Sequence, residues 1–219
     1  MKTYLLALTV LMMITSCSGG AKNKIEGKDA QEVASGQGKT LAIDSQASSI
    51  HWKGSKPAGA GSHEGTIAIK EGTLAINGTD LVSGSFVIDM NSIVDTDLTD
   101  SKMNEMLVNH LKSADFFDTE KFPEAYFVIT SVKEVQGRDS ATHSISGNLK
   151  MKDVEKNITF DAKITKEGDV YKAVTLPFAI DRTQWNVQYG SKTIFANLKD
   201  QIINDDIELP QMIIVAKAK

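Results

Sequence analysis

From His143 to Met151 every second residue changes character: His143, Ile145, Gly147, Leu149 and Met151 alternate with Ser144, Ser146, Asn148 and Lys150. Period two marks a strand with one buried face, and the pattern recurs along most of the chain. Ile50 to Lys53, Thr66 to Lys70, Thr73 to Ile76, Leu81 to Met90, Tyr126 to Val135, Asn157 to Thr165, Val170 to Ile180 and Asp206 to Lys217 all read as strands. Ile158, Phe160, Ala162 and Ile164 share one face; so do Val174, Leu176, Phe178 and Ile180. The connections carry turn residues: Glu71-Gly72, Asn77-Gly78, Gly137-Arg138-Asp139 and Glu167-Gly168-Asp169. About eight such strands with short turns predict a mainly β, antiparallel sheet, either a sandwich or a closed barrel. Pattern alone leaves both open.

One stretch breaks the alternation. After Phe86, Ile88 and Met90 the period lengthens, and Met103, Met106, Leu107 and Leu111 fall on one stripe of a helix between about Thr99 and Lys112. Thr99 or Asp100 is available as its N-cap. An aromatic-acidic turn, Asp115-Phe116-Phe117-Asp118, follows, and Pro123 precedes the next strand. A lone helix between strands can plug the mouth of a barrel or pack across an open sheet.

The first residues read as an export signal spanning residues 1–16. Lys2 is the positive n-region and Tyr4 to Met13 a short apolar run. That run is shorter than the about 20 residues a membrane-spanning helix needs. Ile14-Thr15-Ser16-Cys17 resembles a bacterial lipoprotein signal, in which Cys17 carries the lipid. Cys17 is the chain's only cysteine, so an internal disulfide is excluded. Ser18 stands where an aspartate favours inner-membrane retention in many enteric bacteria, so the outer membrane is expected over the inner. The stretch 17–39 has no hydrophobic period and is expected to be a flexible tether, spanning on the order of 25 Å as a coil. Residues 40–219 make one domain by length. The chain carries a mild net charge of −4 with scattered basic residues, which argues against nucleic acid.

Catalytic signatures are missing. There is no Gly-x-Ser-x-Gly elbow, no His-Glu-x-x-His and no phosphate-cradling Gly loop. The four histidines, His51, His63, His110 and His143, lack metal-ligand spacing. No catalytic residue, metal or cofactor is expected. The run from Asp181 to Gly190 places Arg182, Trp185 and Tyr189 at a strand end. Arg182 and Trp185 there suit contact with a polar head group, or a structural loop in which Trp185 packs and Arg182 pairs with an acid.

Several runs together resemble the YceI-like domain family: Ser49-Ile50-x-Trp52-x-Gly54, His63-x-Gly65-x-Ile67, Asp89-Met90-Asn91-Ser92-Ile93, His110-Leu111-Lys112-Ser113-x-Asp115-Phe116-Phe117-Asp118, Lys121-Phe122-Pro123-x-Ala125-x-Phe127 and Ser146-Gly147-Asn148-Leu149. They keep the family's order from about Leu41 to the C-terminus. The resemblance implies an elongated, lipocalin-like barrel with a helix inserted between strands. It also implies a long-chain apolar ligand, a polyisoprenoid or quinone-like lipid, bound inside without chemistry. The expected cavity wall is Phe86, Ile88, Met90, Met106, Leu107, Phe117, Phe127, Ile129, Ile145 and Leu149. His110, on the family-like run, is expected to position the following loop or touch the ligand's head group. If the helix lines the cavity, Met106→Arg abolishes binding. The resulting picture is a lipid carrier in the bacterial envelope, anchored through Cys17. The alternatives are a packed barrel acting as an interaction scaffold in the envelope stress response, and an enzyme assembled from distant His and acidic residues.

Overall fold

The structure, a computed structural model, describes residues 23–137, 139–198 and 201–218. The export signal, Cys17 and Arg138 of one expected turn lie outside the described residues. The strands are β1 (Lys24–Ile25), β2 (Lys39–Ile43), β3 (Ser49–Ser55), β4 (Ser62–Asn77), β5 (Asp80–Asp89), β6 (Val94–Asp95), β7 (Glu124–Glu134), β8 (His143–Met151), β9 (Val154–Glu167), β10 (Val170–Thr175), β11 (Phe178–Asp181) and β12 (Asp206–Lys217). The single α-helix among the described residues is α1 (Ser101–Lys112). The order β3–β4–β5–β7–β8–β9–β10–β12, with β12 paired back onto β3, closes an antiparallel barrel. Of the two expected architectures, the structure is the barrel. Closure removes the exposed strand edges that an open sheet would leave.

The expected break at Glu71-Gly72 is a bend inside one strand. β4 runs 16 residues, pairs first with β3 and then with β2, and changes register against β5 between Ile69 and Glu71. A side chain at Gly72 would meet the Ser85 carbonyl and Phe86, so glycine lets two strands approach where the barrel curves. The expected strand Val170 to Ile180 divides at Leu176-Pro177, and its inward phase switches. Tyr171 and Thr175 are buried on β10, and Phe178 and Ile180 on β11, whereas Val174 and Leu176 are only half-buried. Pro177 has no N–H for the ladder.

Inside the barrel, phenylalanines form a layer. Phe86 on β5 stacks on Phe127 of β7 with ring centroids 5.2 Å apart. Phe127 meets Phe160 of β9 at 5.6 Å, and Phe160 lies parallel to Phe178 of β11 at 5.1 Å. Between β7 and β9 runs β8, and Gly147 is its residue at this level: a Cβ there would overlap the Phe127 ring.

Residues 23–38, expected to swing free as a tether, instead form a belt on the barrel's outer wall. β1 pairs in parallel with β11, and Lys24 reaches Asp206 at 2.6 Å and Asp181 at 3.4 Å. The Lys28 and Asn157 backbones exchange two hydrogen bonds of 2.9 Å. Asn148 on β8 acts as a peptide mimic: its Oδ1 accepts from Gln31 N and its Nδ2 donates to the Gln31 carbonyl. Ala34 N donates to the Ile129 carbonyl, at the register shift between β7 and β8. Ser83 of β5 then donates to the Gly36 carbonyl. Apart from the Lys24 ion pairs, the belt makes these contacts through its backbone, so no hydrophobic periodicity betrays it.

Candidate ligand cavity

The inward faces of the barrel enclose an apolar cavity of about 120 Å³. Its wall includes Trp52, Phe86, Ile88, Met90, Phe117, Phe127, Leu149, Phe160 and Met212, and among the described residues its only charged lining residue is Arg182. A second space of about 30 Å³ lies farther along, walled by Leu74, Leu81, Ile129, Ile145 and Ile214 among others. Phe86, Phe127, Phe160 and Met212 line both. The phenylalanine layer therefore partitions the interior into two chambers.

The expected wall residues divide accordingly. Phe86, Ile88, Met90, Phe117, Phe127 and Leu149 line the larger chamber, and Ile129 and Ile145 the smaller. Leu107 packs, partly buried, against the core. Met106 is 64% exposed, and Met103 58%, so neither faces the cavity. Helix α1 is rotated relative to the expected stripe: its packed side is Asn104, Leu107, Val108 and Leu111. Asn104 sets that rotation. Its Nδ2 donates to the Asp95 carbonyl, Asp95 Oδ1 and the Leu98 carbonyl. A polar residue on the packed face is invisible to a count of apolar positions. Asp100 caps the helix by accepting from Met103 N at 2.9 Å.

The C-terminal end of α1 and the loop after it deliver side chains to the cavity. Leu111, Phe116 and Phe117 all line it. His110 is half-buried and packs edge-on against Phe116 and Tyr189, at ring separations of 5.9 and 4.5 Å. It braces the rim loop and does not line the cavity. Lys152 donates to the carbonyls of Phe116 and Asn186, joining that loop to the turn after β11.

Arg182 and Trp185 are built into the scaffold. Arg182 is fully buried and donates to the carbonyls of Asn204 (3.1 Å), Val187 (2.7 Å) and Ile203 (3.3 Å). Its guanidinium also lies 5.3 Å from the Phe116 ring. Burial pulls its pKa down, with Asp205 and Asp181 acting against that shift. Three of its five N–H donors are thus committed to backbone carbonyls, and Nη2 also lies 3.7 Å from Asp205 Oδ1. Trp185 is fully buried and donates to the Leu149 carbonyl at 2.9 Å. Asp181 holds the turn between them by accepting from Thr183 N and Oγ1. Of the two sequence readings of this loop, the structural one matches the geometry.

The sequence reading left out Trp52 and Phe160 as wall residues. Phe160 stood on a recognised inward face, and Trp52 within the Ser49-to-Gly54 run. Trp52 Nε1 is buried and has no hydrogen-bond partner among the described residues. Buried donors are almost always paired, which makes this N–H available to a bound molecule.

Comparison with known proteins fits this architecture. The model of the YceI-like domain matches residues 41–211. Protein YceI of Escherichia coli O6:H1 is 38% identical over 80 residues, which are 36% of this chain and 39% of that protein. The chain thus matches less than half the length of that curated relative. Among solved structures, Burkholderia cenocepacia BcnA superposes with a TM-score of 0.60 at 19% identity, covering 80% of this chain and 99% of that one. A polyisoprenoid binding domain from Saccharophagus degradans, implicated in plant cell wall breakdown, gives 0.62 at 15% identity and covers 86% and 100%. Both share the fold. With the family model matching most of its length, and the same barrel in both neighbours, the chain belongs to the YceI-like domain family.

Proposed function

We propose that the barrel binds the chain of a long apolar lipid, of the polyisoprenoid or quinone-like class, without catalysis, and that lipidated Cys17 holds it at the bacterial envelope. The observation that carries this reading is a cavity wall that is apolar almost throughout, in a barrel whose one buried, unpartnered donor on the wall, among the described residues, is Trp52 Nε1. The Saccharophagus neighbour, a polyisoprenoid binding domain of the same fold, supports the ligand class. An isoprene unit buries five carbons, worth roughly 4 kcal/mol at about 0.8 kcal/mol per carbon. A few units offset the cost of association and chain ordering.

Size sets a condition on this reading. An engineered apolar cavity of about 150 Å³ holds one benzene, so the larger chamber, at about 120 Å³, holds about one isoprene unit as it stands. A longer chain requires the phenylalanine layer to rotate and the lining methionines Met90, Met151 and Met212 to change rotamer. Methionine suits that adjustment because its side chain is flexible and polarisable. The same small volume favours the second reading, a closed barrel that acts through its surface.

Native mass spectrometry on the protein purified without detergent separates the two. An adduct released on denaturation as a long-chain lipid is the expected result. Protein free of adduct, and still empty after incubation with isoprenoids and quinones, overturns the carrier reading in favour of the surface one.

A further inference from the structure

The run His63-x-Gly65 does more than shape β4. Strand β6 pairs with β4 through Asp95 opposite Gly65 and Val94 opposite Thr66. A Cβ at Gly65 would collide with the Val94 carbonyl, so glycine is what lets β6 lie so close. Thr96 N then donates to the Glu64 carbonyl, and Glu64 N to Asp97 Oδ1. These bonds bring two carboxylates to one imidazole. His63 Nδ1 is 3.2 Å from Asp97 Oδ2 and 3.9 Å from Asp95 Oδ2, and one donor atom from each of the three residues lies within 4.8 Å of the others.

Asp95 is the unusual member. Its side chain has no exposed surface. Oδ1 accepts from Leu98 N at 2.8 Å and Asn104 Nδ2 at 3.1 Å, whereas Oδ2 is buried with no hydrogen-bond partner among the described residues. That orphaned oxygen faces the other two donors. A buried acceptor left unmade is costly, and more so when charged. Burial, with Asp97 beside it, holds the Asp95 carboxyl above its usual range. Burial would raise Asp97 as well, but the Glu64 N–H, Asp95 and His63 outweigh it and hold that carboxyl low.

We propose that Asp95, Asp97 and His63 form a binding site for a divalent transition-metal cation of the zinc or manganese type. A cation at their centre gives Asp95 Oδ2 its missing partner and neutralises two adjacent carboxylates. The spacing fits: donors about 2.1 Å from a tetrahedral metal stand about 3.4 Å from one another, between the two distances found. One imidazole nitrogen with two carboxylate oxygens suits such a metal. Calcium wants six to eight oxygens. The exposed side at His63 and Asp97 leaves positions for water. The site lies where β6 crosses the start of β4, and none of its three residues lines the cavity. It is therefore independent of the lipid reading. Its ligand Asp95 also holds Asn104, which sets the rotation of α1, so the bound metal fastens β4, β6 and the helix to one another.

The test uses the full chain without an affinity tag. Titration calorimetry with Zn²⁺, Mn²⁺ and Ca²⁺, each alone, is expected to show saturable binding of the first two in preference to the third. Co²⁺ as a spectroscopic probe is expected to give ligand-field bands that saturate at one ion per chain. His63→Ala and Asp97→Asn should each weaken Zn²⁺ binding by more than about tenfold, the least that loss of even an outer-shell partner causes. His51→Ala should leave it unchanged. Asp95→Asn keeps the oxygen that caps Leu98 and removes the charge. It should fold at least as stably as the wild type without metal, yet lose the rise in melting temperature that Zn²⁺ gives the wild type. Absence of saturable binding in the wild type, or equal affinity in His63→Ala and Asp97→Asn, would overturn the site.

Discussion

The ring of Phe127 occupies the space that a side chain at Gly147 would fill. The two residues sit on adjacent strands at the level where Phe86, Phe127 and Phe160 divide the interior. The absence of a side chain on β8 is therefore what lets an aromatic layer close across the barrel. A strand glycine of this kind marks close approach, not a turn.

Gly147→Ala tests that relationship. Its methyl group meets a rigid ring, so the substitution should destabilise the fold by about 1–3 kcal/mol through overpacking. The midpoint of denaturant unfolding measures it. An unchanged or raised midpoint would show that the ring has room to move.

Phe127→Ala should join the two chambers. Its stability cost is about 3–5 kcal/mol, and the longest isoprenoid retained should lengthen. Native mass spectrometry across a series of chain lengths reads this directly. The same length limit in mutant and wild type would mean that the aromatic layer is no barrier.

Trp52→Phe removes the unpartnered indole N–H and keeps most of the apolar ring. Stability should hold within about 1 kcal/mol or improve, because a buried unsatisfied donor is lost. Binding of a lipid with a carbonyl or hydroxyl head group should weaken, and that of the matching hydrocarbon should not. Equal losses for both ligands would count against a hydrogen bond from Trp52.

Met106→Arg should do little. Expected from the apolar stripe to abolish binding, it falls at a position that is 64% exposed, where a substitution typically changes stability by less than about 0.5 kcal/mol. Loss of binding in the folded mutant would place the ligand on the outside of α1.

Asn148→Ala should loosen the belt. It breaks both bonds to Gln31 and the 2.8 Å contact from Asn157, at a cost of about 1–3 kcal/mol for the buried groups left unpaired. Amide exchange at Lys28, Gln31 and Ala34 should quicken while the barrel strands stay protected. Unchanged exchange would mean that the remaining contacts hold the segment unaided.

The strands were readable because one buried face imposes period two, and β8 and β12 match their expected spans to the residue. The barrel itself rested on the family resemblance, since alternation is the same in a sandwich. Where the sequence misled, polar groups decided the structure. Asn104 turned α1 away from its methionines, and Asn148 captured a segment that composition marked as loose. Arg182 and Trp185 looked like ligand contacts because their types suit that work; their partners, the carbonyls of Val187, Ile203, Asn204 and Leu149, carry no mark in sequence. Asp95, Asp97 and His63 meet only because β6 folds back on β4, a strand too short to show a period.

The belt also governs reach. Asn23 lies six residue steps beyond Cys17, at most about 20 Å of extended chain at roughly 3.5 Å per residue. Under the proposed anchoring through Cys17, the docked belt would keep the barrel wall at β11 near the membrane surface. Undocking back to Lys39 pays out 22 residues in all, up to about 75 Å when extended. Under that proposal the same segment would be a short mooring when bound and a long one when released, with the bonds of Lys28, Gln31 and Ala34 deciding between the two lengths.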